Sequence, residues 1–360
     1  MWILIARRKC PSYIVTMCLA RYSEETKYNE KHRCSDGNYS RRTLKKAYEM
    51  PFSALFKDNR GQKRFEASDV IKVGDELYAV CDSSWAISKF GSSLLPFAET
   101  NLQIGDPDRE ADEESGYEGI VHSDGVFYVV RESVLHPEGI STQVTAPSYH
   151  AIIEELKISD KDYDIVAKCR SEFEFEGNSK GFEGAIGIKD LQGTLTILGL
   201  CEGNHCSEER KGDRGNGRLV AMQKFVADDD SCMWTTVKVI DVPHSADFLD
   251  YSAITVDENG RVAISSQEDS KIWIGNLVGK QENGLYDLDE LALVDSSDDG
   301  KEVYDFPKND DCDVVYCNVE GIHWLDENML IAVSDKMKSK GKQAFRCFDK
   351  DQSVHAFVLP

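Results

Sequence analysis

Acidic residues bracket short apolar strands in this 360-residue chain. In residues 116–133, "GYEGIVHSDGVFYVVRES", Glu118 and Gly119 precede an apolar run, and Glu132 follows it. Carboxylates that converge on one point repel one another, and burial raises their pKa values unless a cation neutralises them. Several hard oxygen donors suit Ca²⁺, which takes about 6–8 oxygen ligands, better than they suit Zn²⁺. The bracketed strand therefore suggests a calcium site, provided that other strands bring acids to the same place.

The same order of residues occurs five times along the chain. It runs from an aromatic or apolar residue through an acid, a small residue, a strand, a tight turn and a second strand to a closing acid. The five segments are "FEASDVIKVGDELYAVCD" from residue 65, "YEGIVHSDGVFYVVRE" from 117, "FEGAIGIKDLQGTLTILGLCE" from 182, "DYSAITVDENGRVAISSQE" from 250 and "VEGIHWLDENMLIAVSD" from 319. They recur at intervals of about 50 to 70 residues.

The elements that must position these acids are strands. Runs rich in Val, Ile, Phe and Tyr, separated by Gly, Asp and Asn turns, are typical of an all-β domain. A repeated hairpin cannot bury its own faces, so the repeats must stack around an axis. The spacing predicts a single β-propeller of five or six blades, with a polar N-terminal extension. The segment "SYHAIIEELKI" at 148–158 predicts the one helix, or alternatively two strands.

In a propeller the innermost strand of each blade lines the central channel, so the repeated acids would form rings at one mouth. The predicted metal ligands are Glu66, Glu118, Glu183, Glu202 and Glu320. The closing acids would form a second ring, made of Asp82, Glu132, Glu268 and Asp335 beside Glu202. In the fourth repeat Tyr251 replaces the first acid, which predicts a ligand contact there, and Arg131 is a predicted anion contact. The alternative is structural, because an acid at a strand start can accept backbone N–H bonds from a neighbouring blade.

The formal net charge of −22 excludes a general nucleic-acid binder, because phosphate binding needs clustered Lys and Arg. An acidic surface favours cations and basic partners instead. No apolar run is long enough to cross a bilayer. The expected partner is a small anionic ligand or a protein, and the sequence leaves the oligomeric state open.

Residues 1–20 predict a possible secretory signal, since a basic cluster precedes an apolar run, although a first strand or a misplaced start fits equally. Residues 21–50 are an N-terminal extension and 51–360 the propeller domain. This favours a secreted or extracytoplasmic protein, with a cytoplasmic one as the alternative. Of the eleven cysteines, Cys201 with Cys206 and Cys312 with Cys317 are close pairs that predict loop-closing disulfides rather than zinc sites.

The phrases "YEGIVHSDGVFYVVRES", "KGFEGAIGI", "DYSAITVDENGRVAISSQEDSKIWIG" and "NVEGIHWLDENMLIAVSD" resemble the phytase-like propeller family, described as having esterase-like activity of phytase. They also resemble the related SdiA-regulated propellers. The resemblance covers about residues 51–360. It implies a propeller of extracellular or periplasmic origin with calcium as a cofactor, and it assigns no catalytic activity.

Three functions are consistent with these residues. The first is a calcium-stabilised binding module for a ligand or protein, with an acidic central channel. The second is a metal-dependent hydrolase of phosphate or other ester bonds, in which Glu118, Glu183, Glu202 and Glu320 hold the ion. The third is a purely structural extracellular module. Neither a Gly-x-Ser-x-Gly motif nor a phosphate-binding P-loop is present.

Overall fold

A computed structural model describes residues 42–110, 113–135, 148–175, 180–201, 206, 214–296, 302–309, 312–336, 347 and 350–360. Within these ranges the chain consists of strands, loops and turns, among them the 3₁₀ turn Phe52–Leu55, without an α-helix. No helix in the described residues could cross a membrane. The strands are β1 (Lys45–Pro51), β2 (Ala67–Val73), β3 (Glu76–Cys81), β4 (Ser84–Gly91), β5 (Leu102–Ile104), β6 (Tyr117–Ser123), β7 (Val126–Leu135), β8 (Tyr149–Ser159), β9 (Asp162–Phe175), β10 (Phe182–Lys189), β11 (Leu195–Cys201), β12 (Arg218–Val226), β13 (Cys232–Asp241), β14 (Ala253–Val256), β15 (Arg261–Ser266), β16 (Lys271–Val278), β17 (Ala292–Asp295), β18 (Val303–Asp305), β19 (Val319–Asp326), β20 (Met329–Ser334) and β21 (Ser353–Val358).

The strands form four sheets, most of them simple antiparallel meanders. Two sheets have the orders β2-β3-β4-β5 and β14-β15-β16-β17, the latter with β18 also on β16. A third sheet has the order β1-β21-β20-β19. The fourth has eight strands, because the meanders β6 to β9 and β10 to β13 meet through parallel pairing of their outer strands β9 and β13.

The first strands of the meanders form a closed ring. β2 contacts β6, β6 contacts β10, β10 contacts β14, β14 contacts β19, and β19 contacts β2. Apolar side chains fill the spaces between neighbouring meanders, as where Trp85 packs edge-on against Tyr117 with ring centroids 5.5 Å apart. A ring of inner strands with radially stacked sheets is a β-propeller, as the sequence predicts. We call the end of the ring where the inner strands begin the mouth.

The ring is closed by strands from both ends of the chain. β1 pairs with β21 from Lys45 to Pro51, so the fold includes residues that the sequence assigned to the extension. The polar sequence of β1 hid this strand, because an outermost strand exposes one face to solvent. Glu49 on β1 accepts hydrogen bonds from Tyr316 (2.7 Å) and Lys350 (2.5 Å), which ties β1 to the rest of the sheet.

The helix prediction at 148–158 is wrong, because this segment is the single strand β8. β8 lies between β7 and β9, and five successive residues from His150 to Glu154 are buried. A strand buried on both faces loses the alternation that identifies strands in a sequence.

The cysteine pairs are confirmed in one case and corrected in the other. Cys201 is bonded to Cys206 as predicted. Cys317 is bonded to Cys347, so a pairing of Cys312 with Cys317 is wrong; Cys312 is disulfide-bonded elsewhere. The reason is topological, since Cys317 directly precedes β19 and so faces the β20–β21 connection, which contains Cys347.

A further disulfide, Cys169–Cys232, joins β9 to β13 beside their parallel pairing, and its 63-residue separation gave no sequence signal.

Candidate metal centre

Four of the five inner strands carry a β-bulge close to their first residue. The register shifts at Ser68 in β2, at Glu118 in β6, at Glu183 in β10 and at Glu320 in β19. A bulged residue is unpaired in the ladder, and the bulge re-aims its side chain. β14 has no shift, and Ser252 immediately before it occupies the corresponding place. The mouth therefore presents three glutamates and two serines at one level of the ring.

This strand register corrects the sequence alignment of the first repeat. The sequence alignment equates Glu66 with Glu118, but the structure places Glu66 two residues earlier. The closing residue of each hairpin identifies the position: Asp82 N donates to Glu66 O (3.1 Å), as Asp335 N donates to Asn318 O (2.9 Å). The segment "FEASD" contains two acids, and neither lies at the bulge, which Ser68 occupies between them.

Glu66 belongs instead to a cluster beside the ring, which we call the rim cluster: Glu66, Asp82 and Asp335. One carboxylate oxygen from each residue lies within 4.8 Å of the others. The Glu66 side chain is fully buried, and it contacts the ammonium of Lys336 and, at 3.5 Å, the guanidinium of Arg64. Two predicted ring acids and one predicted ligand therefore meet at a single point.

In the rim cluster, the pKa values of Asp82 and Glu66 are shifted in opposite directions. Burial, followed by the charges of Asp335 and Glu66, raises the pKa of Asp82 to about 8. Burial also disfavours the ionised form of Glu66, but the hydrogen bond and charge of Lys336 outweigh this effect and lower its pKa. At neutral pH the cluster thus holds one proton unless another cation replaces it.

The acids of the ring interact with one another and with the rim cluster. Glu118 is buried, and burial is the main cause that raises its pKa well above the usual value. The charges of four other acids raise it further, and these are Glu183, Asp82, Glu132 and Glu320. Glu320 is also buried and Glu183 half-buried. The structure therefore brings most of the predicted ligands together, whereas Glu202 lies outside the described residues.

Buried oxygen atoms without a hydrogen-bond partner concentrate at this mouth. They include Glu66 Oε2, Ser68 Oγ and Asp82 Oδ1. Asp250 Oδ2 and Gln267 Oε1 have the same property, and these residues occupy in the fourth meander the places of Glu66 and Asp82. Folded proteins satisfy most buried polar atoms, and each exception costs about 1–3 kcal/mol. Because these atoms are oxygens and none belongs to His or Cys, the donor set fits a hard cation such as Ca²⁺.

Sequence analysis missed Asp69, which holds the structural role that it considered for the glutamates. Asp69 is 1% exposed and accepts backbone N–H bonds from Val70 (2.8 Å) and Ile120 (2.9 Å). Burial raises its pKa well above the usual value, while these bonds and one from Ala185 N oppose the rise. The available signal was an acid at the position where three other repeats have glycine.

The predicted ligand contact at Tyr251 is wrong. Its side chain is fully buried in the core between the third and fourth meanders, where its hydroxyl donates to Ala246 O (2.8 Å). Glu268 is also misplaced, because it is exposed and Gln267 takes the closing position after β15. The sequence alignment of this repeat was one residue out of frame, because Ser252 and not Tyr251 is equivalent to Glu118.

The predicted anion contact at Arg131 stays a prediction, and its guanidinium already makes contacts within the protein. Nε donates to Ser115 O (2.7 Å), and Nη1 donates to Glu154 (3.2 Å). The guanidinium also lies over the ring of Trp85, 4.7 Å from its centroid. Arg131 therefore stabilises the contact between the first and second meanders.

Three side chains, those of Ser334, His355 and Glu49, are arranged in the order of a nucleophile, a base and an acid. Ser334 Oγ lies 2.9 Å from His355 Nε2, and His355 Nδ1 lies 3.4 Å from Glu49 Oε2. Ser334 is 1% exposed and His355 is fully buried, and burial lowers the pKa of His355. These three side chains link β1, β20 and β21 inside the closing sheet.

Comparisons with known proteins add little to this description. No protein-family model matches the chain, and no curated protein sequence matches it. Among solved structures, the glutaminyl cyclase of Myxococcus xanthus is 11% identical, with 89% of this chain and 98% of that chain covered and a TM-score of 0.39. The PQQ-bound aldose sugar dehydrogenase of Streptomyces coelicolor is 10% identical (87% and 98% covered, TM-score 0.37), and the virginiamycin B lyase of Staphylococcus aureus is 9% identical (87% and 99% covered, TM-score 0.34).

Likenesses with TM-scores below 0.5 say nothing about what this chain does, and the fold assignment rests on its own strand pairing. The relation to phytase-like propellers stays a prediction.

Proposed function

We propose that the mouth binds a divalent cation, with Ca²⁺ the best fit, and that the protein is a calcium-stabilised propeller that binds a ligand. The concentration of buried, unpartnered oxygens around Glu66, Ser68 and Asp82 is the observation that carries this proposal. Burial is the largest cause of the raised pKa of Glu118, and the repulsion by neighbouring acids that raises it further supports the proposal, because a cation among these acids would relieve that repulsion.

The proposed propeller has five blades. Five inner strands contact one another in cyclic order, and the eight-stranded sheet supplies two of them. The two serines then replace glutamates in the first and fourth blades. The proposed ligands are the carboxylates of Glu118, Glu183 and Glu320, the hydroxyls of Ser68 and Ser252, and the carboxylates of the rim cluster.

A ligand would approach over the mouth. Bound Ca²⁺ attracts and polarises carboxylate or phosphate oxygens. Arg64 and Lys336 lie beside Glu66 with 49% and 41% of their side chains exposed, so they add positive charge for an anionic group. The three described disulfides support an extracytoplasmic location, where calcium sites of roughly 10⁻⁴–10⁻³ M affinity are filled.

A second candidate function is hydrolysis of phosphate or other ester bonds. The half-exposed cations Arg64 and Lys336 next to the acids favour it, because a hydrolase needs a cationic contact for the anionic group as well as the metal. Assays with p-nitrophenyl phosphate and p-nitrophenyl acetate, with and without calcium, test it. Calcium-dependent turnover that Glu118→Gln abolishes supports hydrolysis, and its absence leaves the binding role.

Thermal unfolding of the full chain in EDTA, and again with millimolar Ca²⁺ or Mg²⁺, tests the cation site. A ligand that binds only the folded state adds RT ln(1 + [L]/Kd), about 2.7 kcal/mol at 100 times Kd. We expect calcium to raise the Tm of the wild type and of Glu268→Gln, whose side chain is exposed. The double variant Glu118→Gln, Glu320→Gln should lose this rise. An equal Tm with and without calcium in the wild type contradicts the proposal.

A further inference from the structure

We propose that Gln352 is the positioning residue of the cation site. It joins the two chain segments that carry Glu66 and Asp335, which belong to the first and the last meander of the ring. This inference rests on the proposed function and names the device that sets the distance between Glu66 and Asp335. Gln352 has no sequence signal, since it lies outside the five repeated segments and is neither acidic nor conspicuous in its context.

Gln352 makes three hydrogen bonds to three separate parts of the fold. Its side-chain Oε1 accepts from the backbone N–H of Phe65 (2.8 Å), the residue before Glu66. Its own N–H donates to Asp335 O (3.2 Å). Its carbonyl oxygen accepts from the N–H of Phe52 (2.8 Å) in the 3₁₀ turn.

These bonds bear directly on two residues of the rim cluster. Glu66 approaches from the connection before β2, and Asp335 approaches from the end of β20. Both positions lie just outside the strands, and the backbone of each is hydrogen-bonded within its own hairpin, through Asp82 N to Glu66 O and Asp335 N to Asn318 O. The hydrogen bonds of Gln352 link these two hairpins to each other. Groups that orient metal ligands without touching the metal typically contribute about 10–100-fold to metal affinity.

The backbone of Gln352 is held in an uncommon conformation. Its φ is +44°, in the left-handed region that glycine adopts more readily than other residues. This position thus retains a long side chain where glycine would fit the backbone better. The side chain accepts the N–H of Phe65, which explains why a glutamine at this position is useful.

The left-handed backbone at residue 352 also allows a substitution that removes the side chain without straining the backbone. Gln352→Gly keeps the left-handed backbone and its two backbone hydrogen bonds, and it removes only the acceptor for Phe65. Gln352→Glu keeps an acceptor oxygen at the same reach. Asp230→Gly is a matched control, because Asp230 also has a left-handed φ, +64°, but lies in the β12–β13 turn away from the mouth.

The test is calorimetric titration of the full-length variants with CaCl₂, together with their Tm in EDTA. We expect Gln352→Gly to raise the Kd for calcium about tenfold or more, and Gln352→Glu to bind nearly as the wild type does. In EDTA, Gln352→Gly and Asp230→Gly should unfold at similar temperatures, which separates positioning from folding.

Equal calcium affinities of Gln352→Gly and the wild type would overturn the inference and leave the proposed cation site standing. A wild type that does not bind calcium would overturn both. If Asp230→Gly weakened calcium binding as much as Gln352→Gly does, the effect would come from glycine itself, and Gln352 would have no positioning role.

Discussion

Two kinds of buried carboxyl group meet at the mouth, and their partners differ. Asp69 is surrounded by backbone N–H donors from its own strand and from two neighbouring inner strands. Glu118 is surrounded by other acids. Hydrogen bonds to an ionised group stabilise it, whereas like charges destabilise it. Burial raises the pKa of both groups, but the backbone donors oppose this rise in Asp69, whereas the neighbouring acids add to it in Glu118.

This difference predicts opposite effects of two isosteric substitutions. Asp69→Asn replaces an acceptor oxygen by an amide NH₂, so an N–H donor loses its partner, and we expect a loss of about 1–3 kcal/mol in the free energy of unfolding. The loss should be the same in EDTA and in calcium. Glu118→Gln should unfold no more easily than the wild type in EDTA, because it removes repulsion. Urea unfolding in both conditions measures these effects, and a calcium-dependent loss in Asp69→Asn would show that Asp69 is a ligand instead.

The raised pKa of Asp82 predicts a pH dependence. Its pKa is about 8 in the folded chain and near the usual 3.8 in the unfolded chain, so the folded state binds the extra proton between these values. Stability from this group is therefore complete below about pH 4 and is lost as the pH rises through 8. Calcium binding requires the ionised form, so the Kd for calcium should fall over the upper part of the same range.

The groups that set this pKa are Asp335, Glu66 and Lys336. Comparison of the wild type with Asp82→Asn in EDTA, from pH 5 to 9, cancels the contribution of other groups. We expect the stability of the wild type to fall relative to that of the variant as the pH rises. Parallel curves would mean that Asp82 is ionised throughout.

At the scale of elements, the bulges place the glutamates at the mouth, and small residues let the inner strands approach one another. Gly321 follows the bulge of β19, and a Cβ there would lie 2.6 Å from Val333 Cγ2 and 2.7 Å from Asp69 Cα. Distances this short force backbone movement, which typically costs about 1–3 kcal/mol. Gly321→Ala should therefore destabilise the fold and weaken calcium binding together, because it displaces Glu320 and Asp69.

Gly91→Ala is the matched control, since a Cβ there meets only Ser93 Oγ at 3.5 Å. We expect its Tm and calcium affinity to equal those of the wild type. Thermal unfolding with and without calcium measures both variants. A Gly321→Ala protein with a normal Tm would contradict the close approach of β19 to β2.

The repeated segments of the sequence predicted the hairpins correctly because turn residues and alternating apolar residues are local signals. They predicted the place of Glu118, Glu183 and Glu320, where one acid precedes one glycine. They failed for Glu66, where two acids compete, and for Tyr251, where the acid is missing. Register is fixed by cross-strand pairing, and no single strand carries that information.

Contacts between segments that are distant in the sequence could not be predicted, for a related reason. Cys317 has several cysteines within reach of a flexible chain, and only the course of β20 and β21 decides that Cys347 is its partner. Gln352 and Asp69 act through backbone groups of other blades. Backbone groups are the same at every residue, so the sequence does not mark them.

At the scale of the whole molecule, the closing sheet combines both ends of the described chain. β1 covers the outer edge of β21, and its Glu49 contacts Tyr316, Lys350 and His355. Removing β1 exposes an edge strand and leaves these groups without their carboxylate.

We therefore expect a protein that begins at residue 52 to unfold at a clearly lower temperature than one that begins at residue 42, which keeps β1. Comparing their Tm values in EDTA and in calcium tests the contribution of β1. Equal Tm values would mean that the ring closes through β19, β20 and β21 alone.

The carboxylate of Asp69 extends from β2 to N–H groups on β6 and β10, one residue further along the strand than the serine that faces the mouth. This carboxylate thus joins three of the five inner strands at the level just below the proposed site. A cation at that site would rest on a polar layer that the protein builds from its own backbone, and losing the cation would leave that layer in place.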